Sequence, residues 1–276
     1  MKLEDIPEDV LPKEGRGLRA IDLELTNKCN LFCRHCYSGA GPLKGVSDKV
    51  PKERWKSLID EAVSLGAKVL QITGGEPTLH ENFLEILDYA FVKGPKRPKI
   101  YTNAFELNDE IINELKRTGS LAAFSFYSHN PEIHEEITRV KGSFEKTVKN
   151  LKKLVEAEVP SRGRVIITPY NNSQENFELA KKFLNSIGIN DVRYDNMHAV
   201  GRAAEIKKED EYSALCGECW HGKLTIDSSG DIYPCVMSRF LKLGNVMENS
   251  LSDILNESKL IEFRVKVYDM YVRNRK

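Results

Sequence analysis

The sequence predicts an α/β fold in which six strand–helix units build a mostly parallel sheet. Short apolar, β-branched runs alternate with amphipathic segments, and such alternation implies parallel strands joined by right-handed crossovers. The predicted strands cover residues 20–26, 68–73, 99–103, 121–127, 163–168 and 191–196. The predicted helices cover residues 51–65, 80–92, 108–118, 143–157 and 173–187. Six such units form either a doubly wound open sheet or a partial barrel.

The length, charge and hydrophobicity of the chain indicate how many domains it forms and which partners it is expected to have. The 276 residues, 41% of them hydrophobic, are enough for one large domain with a small appendage. Lys+Arg and Asp+Glu both number 41, so nothing in the net charge favours nucleic acid or an anionic membrane as a partner. No apolar run approaches the roughly 20 residues of a membrane helix. The polar N-terminus lacks a signal-peptide core, and we expect a cytoplasmic location.

A polar stretch over residues 198–215 interrupts the alternation. It divides the chain into a lead-in at 1–19, a main domain at 20–200 and a cysteine-bearing extension at 201–276. Within the extension we predict a hairpin with strands at 223–227 and 231–234, joined by a turn at 228–230.

The six cysteines fall into two groups of three. They are Cys29, Cys33 and Cys36, then Cys216, Cys219 and Cys235. Short spacing in a reducing compartment favours metal ligation over a disulfide framework.

The first group follows directly on the first predicted strand. Three thiolates on one short loop can hold an iron–sulfur cubane and leave its fourth iron without a protein ligand. The alternative is half of a structural zinc site completed by His35, although His35 lies between two of the cysteines, where ligation is awkward.

The sequence Gly74-Gly75-Glu76-Pro77 ends the second predicted strand. Two glycines let a ligand approach the backbone, and Glu76 offers a carboxylate to an ammonium group. A Gly-Gly turn often only ends a strand and has no functional role. Here, however, it lies at the same edge of the sheet as the cysteine loop, where ligands of α/β folds bind.

The spacing C-x3-C-x2-C after the first strand, followed by Gly-Gly-Glu, resembles the signature of the radical S-adenosylmethionine (SAM) superfamily. The resemblance covers roughly residues 18–250. It implies a partial (β/α)6 TIM-type barrel with a small C-terminal iron–sulfur extension. It also implies a 4Fe–4S cluster on the first three cysteines whose open iron binds SAM. An external one-electron donor, such as flavodoxin or ferredoxin, then drives cleavage to methionine and a 5′-deoxyadenosyl radical.

The resemblance also assigns further residues to the cofactor. It places His35 against the adenine and Gly74, Gly75 and Glu76 at the SAM amino group. The residues matching contacts to the SAM methionine or substrate are Asn103, Ser125 and Arg139, each of which also has a plain interpretation as loop polarity or helix capping. The fifth strand departs from the glycine-bearing adenine motif of many relatives, which leaves the adenine contacts there open.

The second cysteine group resembles the opening half of a SPASM domain. No cysteine follows Cys235, so the resemblance is to a shortened, twitch-like extension with one auxiliary iron–sulfur cluster. Three cysteines leave that cluster one ligand short. The fourth position is open, filled by substrate, or taken by Asp210, Asp227 or His221. The alternatives are a zinc ribbon fragment completed by His221, or one thiol that donates a hydrogen atom to a substrate radical.

Radical SAM enzymes with such extensions most often act on peptides, and the runs at 126–134 and 201–203 look like those of peptide maturases. The resemblance therefore implies a peptide substrate, matured by epimerisation or by a thioether or carbon–carbon crosslink. A second hypothesis is small-molecule cofactor biosynthesis on a nucleotide or tetrapyrrole. A third is an iron–sulfur or zinc protein without SAM chemistry.

Overall fold

The fold is seen in a computed structural model, which describes residues 8, 10–11, 15–42 and 48–273. One nine-stranded sheet has the order β6-β5-β4-β3-β2-β1-β7-β8-β9, and its first six strands are parallel neighbours, as the predicted partial barrel requires. The strands are β1 (Ala20–Glu24), β2 (Val69–Thr73), β3 (Lys99–Thr102), β4 (Leu121–Phe126), β5 (Ser161–Ile167), β6 (Asp191–Asn196), β7 (Lys223–Ile226), β8 (Asp231–Tyr233) and β9 (Gly244–Asn245).

The crossovers are helical, and the five predicted helices are confirmed to within about three residues. The helices are α1 (Lys52–Ser64), α2 (Phe83–Lys93), α3 (Asp109–Thr118), α4 (Pro131–Thr138), α5 (Ser143–Glu156), α6 (Gln174–Ser186), α7 (Ala203–Ile206), α8 (Leu251–Leu255) and α9 (Ser258–Tyr271). Local signals set their ends. Asn108 caps α3 by accepting a hydrogen bond from Ile111 N at 2.8 Å, and Gly119 ends it in the left-handed region. Among the described helices, none is long and apolar enough to cross a membrane.

The hydrophobic core lies between the sheet and its helices. Successive residues of a strand point to opposite faces, so Ile21 and Leu23 of β1 enter this core, where they meet buried side chains of α1 such as Trp55. Burial of these apolar side chains fixes which face of each strand turns away from the helices.

The opposite face of the sheet is polar. Asp22 of β1 is buried there and accepts hydrogen bonds from Gln71 of β2 and, at 3.3 Å, from Thr225 of β7. The Lys223 ammonium lies 3.3 Å from the same carboxylate. Burial lowers the pKa of Lys99 on β3, and the nearby charges of Arg162 and Lys223 lower it too. We call this polar face of the sheet, opposite the helices, the inner face. Its charged and hydrogen-bonding side chains suit a polar ligand.

The C-terminal extension continues the same sheet. Strand β7 pairs parallel to β1, with Ala20 opposite Lys223 and Leu23 opposite Ile226, and β8 and β9 then add antiparallel. The predicted hairpin is confirmed in β7 and β8. The cysteine-bearing segment is therefore fastened to the first strand of the barrel.

Four helices were not predicted: α4, α7, α8 and α9. Helix α4 has clear local signals, since Asn130 Oδ1 accepts from Glu132 N at 2.8 Å and Pro131 opens the helix. Most of the lead-in at 1–19 falls outside the described residues, but Leu11 and Leu18 are buried in the core. The proposed domain boundaries stay predictions.

Arg264 of α9 should matter for stability because it is wholly buried. Its guanidinium donates to the carbonyl oxygens of Gly15 (2.9 Å), Gly17 (3.3 Å) and Lys223 (3.3 Å). We expect Arg264→Ala to lower the free energy of unfolding by about 3 kcal/mol, because it removes three buried hydrogen bonds that the guanidinium donates. Urea denaturation measures this. Arg117→Ala, at an exposed ion pair of α3, is the control and should leave the value close to that of the wild type. Equal values for the two variants would contradict the assignment.

Candidate functional site

The loop after β1 carries the first three cysteines at the carboxyl edge of the sheet. Its two ends meet, because Cys29 N donates to Gly41 O at 3.2 Å. Its middle is fastened to the end of α4, where Phe32 N donates to Thr138 O (3.1 Å) and Arg34 N to Ile137 O (2.9 Å). The loop is therefore held by its backbone, and its three thiols are left available.

The three thiols lie close enough to influence one another. Burial, and to a lesser degree the neighbouring thiols, raises the pKa of Cys29 and of Cys33 to about 12. Cys29 Sγ is approached by Leu31 N at 3.4 Å, and Cys36 Sγ by the Ser38 hydroxyl at 3.4 Å. Thiolates at such a site require a compensating cation, which is the role of a bound metal.

The Gly-Gly turn packs directly against this loop. Gly75 N donates to Thr26 O at 2.7 Å and Glu76 N donates to Lys28 O at 2.8 Å. A Cβ on Gly74 would collide with Thr26 O, and one on Gly75 would collide with Lys28 O. Glycine is therefore required at both positions for contact between the two loops, and the predicted role of Gly74 and Gly75 at the SAM amino group stays a prediction.

Glu76 lies beneath the cysteine loop with its side chain fully buried. Its Oε1 accepts from the hydroxyls of Thr78 (2.7 Å) and Thr102 (2.8 Å), and its Oε2 accepts from Asn103 N at 2.7 Å. Burial raises its pKa, and these hydrogen bonds act in the opposite direction. Since each carboxylate oxygen has two lone pairs, Oε2 retains room for one more donor.

Two strand ends bring further groups over the cysteines. Asn103, after β3, donates from Nδ2 to Asn30 Oδ1 at 2.8 Å and lies 3.6 Å from Cys29 Sγ. Tyr127, after β4, places its hydroxyl 3.6 Å from Cys33 Sγ, and its ring lies edge-on to His35 with 5.0 Å between centroids. Tyr127 was not predicted. The sequence feature that could have identified Tyr127 is its position at the carboxyl end of a predicted strand, where ligands of α/β folds bind.

The remaining predicted contacts are less direct. Arg139, in the left-handed region after α4, lies with its guanidinium 5.6 Å from the Phe32 ring of the cysteine loop. Ser125 lies on β4 opposite Arg164 of β5, two residues before Tyr127. The structure therefore brings Arg139 to the cysteine loop and leaves Ser125 further down the strand.

An iron–sulfur cluster with SAM fits this loop on two observations. Asn30 Nδ2 and His35 Nδ1 are buried beside the cysteines without a hydrogen-bond partner among the described residues. The loop itself supplies three thiols as donors, those of Cys29, Cys33 and Cys36. A cubane places its cysteines on different irons, so the donor set suits a cluster better than zinc.

The second cysteine group lies between the hairpin and α9. Cys219 and Cys235 are buried with 2.8 Å between their sulfurs, whereas Cys216 is exposed. A hydrogen bond from Cys219 lowers the pKa of Cys216 to about 6, and the nearby charges of Lys223 and His198 act in the same direction. His198 was not predicted near this group.

An apolar shell surrounds these cysteines. Buried Leu215, Phe263 and Val267 pack with them, the last two from α9, which the sequence analysis did not predict. Such a shell limits solvent access to a cluster and so tunes its potential.

The three candidates for a fourth ligand each make other contacts. Asp210 Oδ1 accepts from two backbone amides at 3.1 Å, and Asp227 Oδ1 accepts from Ser229 N (2.9 Å) and Asp231 N (3.0 Å). His221 stacks on Trp220 with 4.8 Å between ring centroids. The identity of the fourth ligand stays a prediction.

A buried ion pair lies between the two cysteine groups. Arg239, four residues after Cys235, donates to Glu24 of β1, and its guanidinium lies 3.6 Å from Asp227. Burial raises the pKa of Glu24, which Arg239 opposes. Glu24 also receives a hydrogen bond from Tyr37, the residue after Cys36. One polar cluster thus touches both cysteine segments.

Comparison with protein families agrees with these two centres. The description of the Radical SAM superfamily matches residues 23–184, more than half of the chain. That of SPASM, an iron–sulfur cluster-binding domain, matches residues 216–275. Both resemblances drawn from the sequence are confirmed.

Individual relatives differ in how much of the chain they match. The antilisterial bacteriocin subtilosin biosynthesis protein AlbA of Bacillus subtilis is 28% identical over 267 residues, 84% of this chain and 58% of AlbA. The AdoMet-dependent heme synthase of Methanosarcina barkeri is 32% identical over 167 residues, 59% of this chain and 47% of the synthase. The chain thus spans about three fifths of the length of AlbA and about half that of the synthase.

Among solved structures, Streptococcus suis SuiB bound to its precursor peptide SuiA has a TM-score of 0.75 at 18% identity. The match covers 90% of this chain and 66% of SuiB. At this identity the likeness establishes the shared fold.

The pKa values predict which thiol of the metal-free protein reacts first. Because the pKa of Cys216 is lowered to about 6, its thiolate predominates at pH 7, whereas Cys29 and Cys33, at about 12, stay protonated. Iodoacetamide should therefore label Cys216 first, with a rate that falls about tenfold per pH unit below 6. Peptide mapping by mass spectrometry measures this, and Cys216→Ser, which should lose the fast site, is the control. Equally fast labelling of Cys33 would contradict the assignment.

Proposed function

The chain belongs to the radical SAM superfamily, and from that premise we propose that it cleaves SAM reductively and abstracts a hydrogen atom from a peptide. The observation that carries the proposal is the contact of the cysteine loop with the Gly-Gly-Glu turn at the carboxyl ends of β1 and β2. It brings three thiols, a buried carboxylate and unpartnered polar atoms to one position. The amino acid part of SAM needs such polar partners beside the cluster that it binds.

In this proposal Cys29, Cys33 and Cys36 hold a 4Fe–4S cluster whose fourth iron is open to SAM. When bound, this cluster supplies one electron to SAM, whose cleavage gives methionine and a 5′-deoxyadenosyl radical. The chain's own task is to keep the loop rigid and the thiols unobstructed. The backbone bonds of the loop to α4 and to the Gly-Gly turn support that role.

We assign the residues around the loop to the two ends of SAM. The free lone pair of Glu76 Oε2 would accept a hydrogen bond from the amino group, and the unpartnered Asn30 Nδ2 would donate to the carboxylate. Asn103 would orient Asn30 through their 2.8 Å hydrogen bond. His35, held edge-on by Tyr127, would lie against the adenine.

Cys216, Cys219 and Cys235 hold an auxiliary iron–sulfur cluster in this proposal. The low pKa of Cys216 favours its thiolate, the form that binds iron, at neutral pH. Because Asp210 Oδ1 and Asp227 Oδ1 already accept backbone hydrogen bonds, we assign the fourth position as open in this proposal. Free thiols at both centres also agree with a reducing, cytoplasmic location.

Three observations support a peptide substrate. Similarity to AlbA covers 84% of the chain, so it extends beyond the barrel into part of the C-terminal extension. The inner face of the sheet carries paired charges and hydrogen-bonding groups around Asp22, which suit the amide groups of a peptide. SuiB, which shares the fold, has been crystallised with a precursor peptide.

Small-molecule cofactor synthesis is the second candidate, favoured by the 32% identity to a heme synthase. That similarity covers 59% of the chain, and a polar inner face is a poor match for the apolar face of a macrocycle. Co-expression with short peptides encoded beside the gene, in heavy water, separates the two. Peptide epimerisation adds one deuterium, and a crosslink removes two hydrogens. A modified tetrapyrrole with unchanged peptides would refute the peptide assignment.

The two cysteine groups should separate by function. Cys33→Ala removes one ligand of the SAM-binding cluster, and we expect 5′-deoxyadenosine formation to fall below detection under SAM and dithionite, while the circular dichroism spectrum is unchanged. Cys235→Ala is the matched control, since it removes a cysteine from the other group and should retain cleavage while losing the peptide product. Cleavage retained by Cys33→Ala would remove this loop from the reaction.

A further inference from the structure

A single arginine holds the cysteine loop from the far side of the barrel. Arg202 lies between β6 and α7, where the chain crosses into the extension. Its side chain donates from Nε to Cys33 O (2.9 Å), from Nη1 to Gly39 O (2.7 Å) and from Nη2 to Ala40 O (2.7 Å). Its backbone N donates to Cys36 O at 3.0 Å. All three nitrogens of the guanidinium are thus committed to carbonyls of one loop.

The neighbours of Arg202 show a fitted contact. Gly201 has φ +61°, and a Cβ there would collide with the carbonyls of Cys36 and Tyr37. The guanidinium also lies 4.2 Å from the centre of the Phe32 ring. The segment therefore contacts the loop in three ways: through the close approach of its backbone, through the hydrogen bonds of the guanidinium, and through the guanidinium lying against the Phe32 ring.

The position of this charge has an electrical consequence. The Arg202 guanidinium donates to the backbone carbonyl of Cys33 at 2.9 Å, so its positive charge lies beside a residue whose sulfur would ligate the cluster. A permanent cation beside a thiolate ligand stabilises negative charge there. The reduced form of an iron–sulfur cluster carries one more negative charge than the oxidised form, so a nearby cation raises its reduction potential.

We propose that Arg202 is a positioning residue for the SAM-binding cluster: its three donors fix the cysteine loop, and its charge raises the reduction potential of the cluster. This inference rests on the proposed function, because it presumes that the loop holds the cluster. The segment that joins the barrel to the extension would then influence how readily the cluster accepts an electron.

The experiment compares three variants of the full chain after anaerobic reconstitution with iron and sulfide. Arg202→Gln removes the charge, and Arg202→Lys keeps the charge but loses the three-pronged hydrogen bonding. The matched control is Arg34→Gln, which removes the same charge from the same loop. The Arg34 guanidinium instead donates to Glu136 O at 3.1 Å and lies 4.8 Å from the Tyr170 ring.

Two quantities are measured: the reduction potential of the SAM-binding cluster by spectroscopic titration, and the half-time of iron loss to a chelator. At the wild-type midpoint potential, Arg202→Gln should lower the ratio of reduced to oxidised cluster about tenfold, equal to a shift of 59 mV for one electron. Arg202→Lys should keep the potential but lose iron several-fold faster. Arg34→Gln should match the wild type in both. Should Arg202→Gln take up no cluster, Arg202→Lys tests the positioning role alone.

Two results would overturn the inference. One is Arg202→Gln with the potential and iron retention of Arg34→Gln. The other is an equal fall in potential in both glutamine variants, because net charge would then account for it. A wild-type chain that cleaves SAM while Arg202→Gln behaves normally refutes only the role of Arg202. A wild-type chain that takes up no cubane refutes the proposed function itself.

Discussion

The cysteine loop after β1 depends on backbone contacts with its neighbours, and the candidate site depends on that loop. Its thiols must stay available, so other groups must hold it. Gly74 and Gly75 do so from one side because any side chain there would collide with the loop. The end of α4 contributes two hydrogen bonds, and Arg202 accounts for four more. The thiols are left for a ligand because the carbonyls and amides of the loop carry the attachment.

The continuity of the sheet relates this loop to the second group of cysteines. Because β7 pairs with β1, the segment that carries Cys235 starts beside the strand that leads into the first loop. The buried Glu24–Arg239 pair, reached by Tyr37 as well, joins the two segments at the carboxyl edge. The sheet and this ion pair therefore connect the segments that carry the two cysteine groups.

The parallel strands and their helices could be predicted from the sequence, because apolar residues recur with a characteristic spacing in amphipathic helices and form short continuous runs in buried strands. The sequence was also sufficient for both cysteine groups and the Gly-Gly-Glu turn, whose spacing is local. It was not sufficient for α9, whose apolar residues cover the auxiliary cysteines, or for Tyr127 and Arg202. These two reach the cysteine loop from residues 94 and 169 positions away, and only the folded sheet brings them there. The contact of the two glycines with the cysteine loop was also not predicted, since their neighbours are distant in sequence.

The most direct test of the account is the response of the reconstituted metal centre to SAM. After anaerobic reconstitution and reduction with dithionite, the Cys216→Ala/Cys219→Ala/Cys235→Ala variant retains only the first cysteine group. Electron paramagnetic resonance should then show a reduced 4Fe–4S cluster whose signal changes when SAM is added, because SAM binds its open iron. A colourless preparation that contains zinc, or a cluster signal that SAM leaves unaltered, would contradict the assignment of Cys29, Cys33 and Cys36.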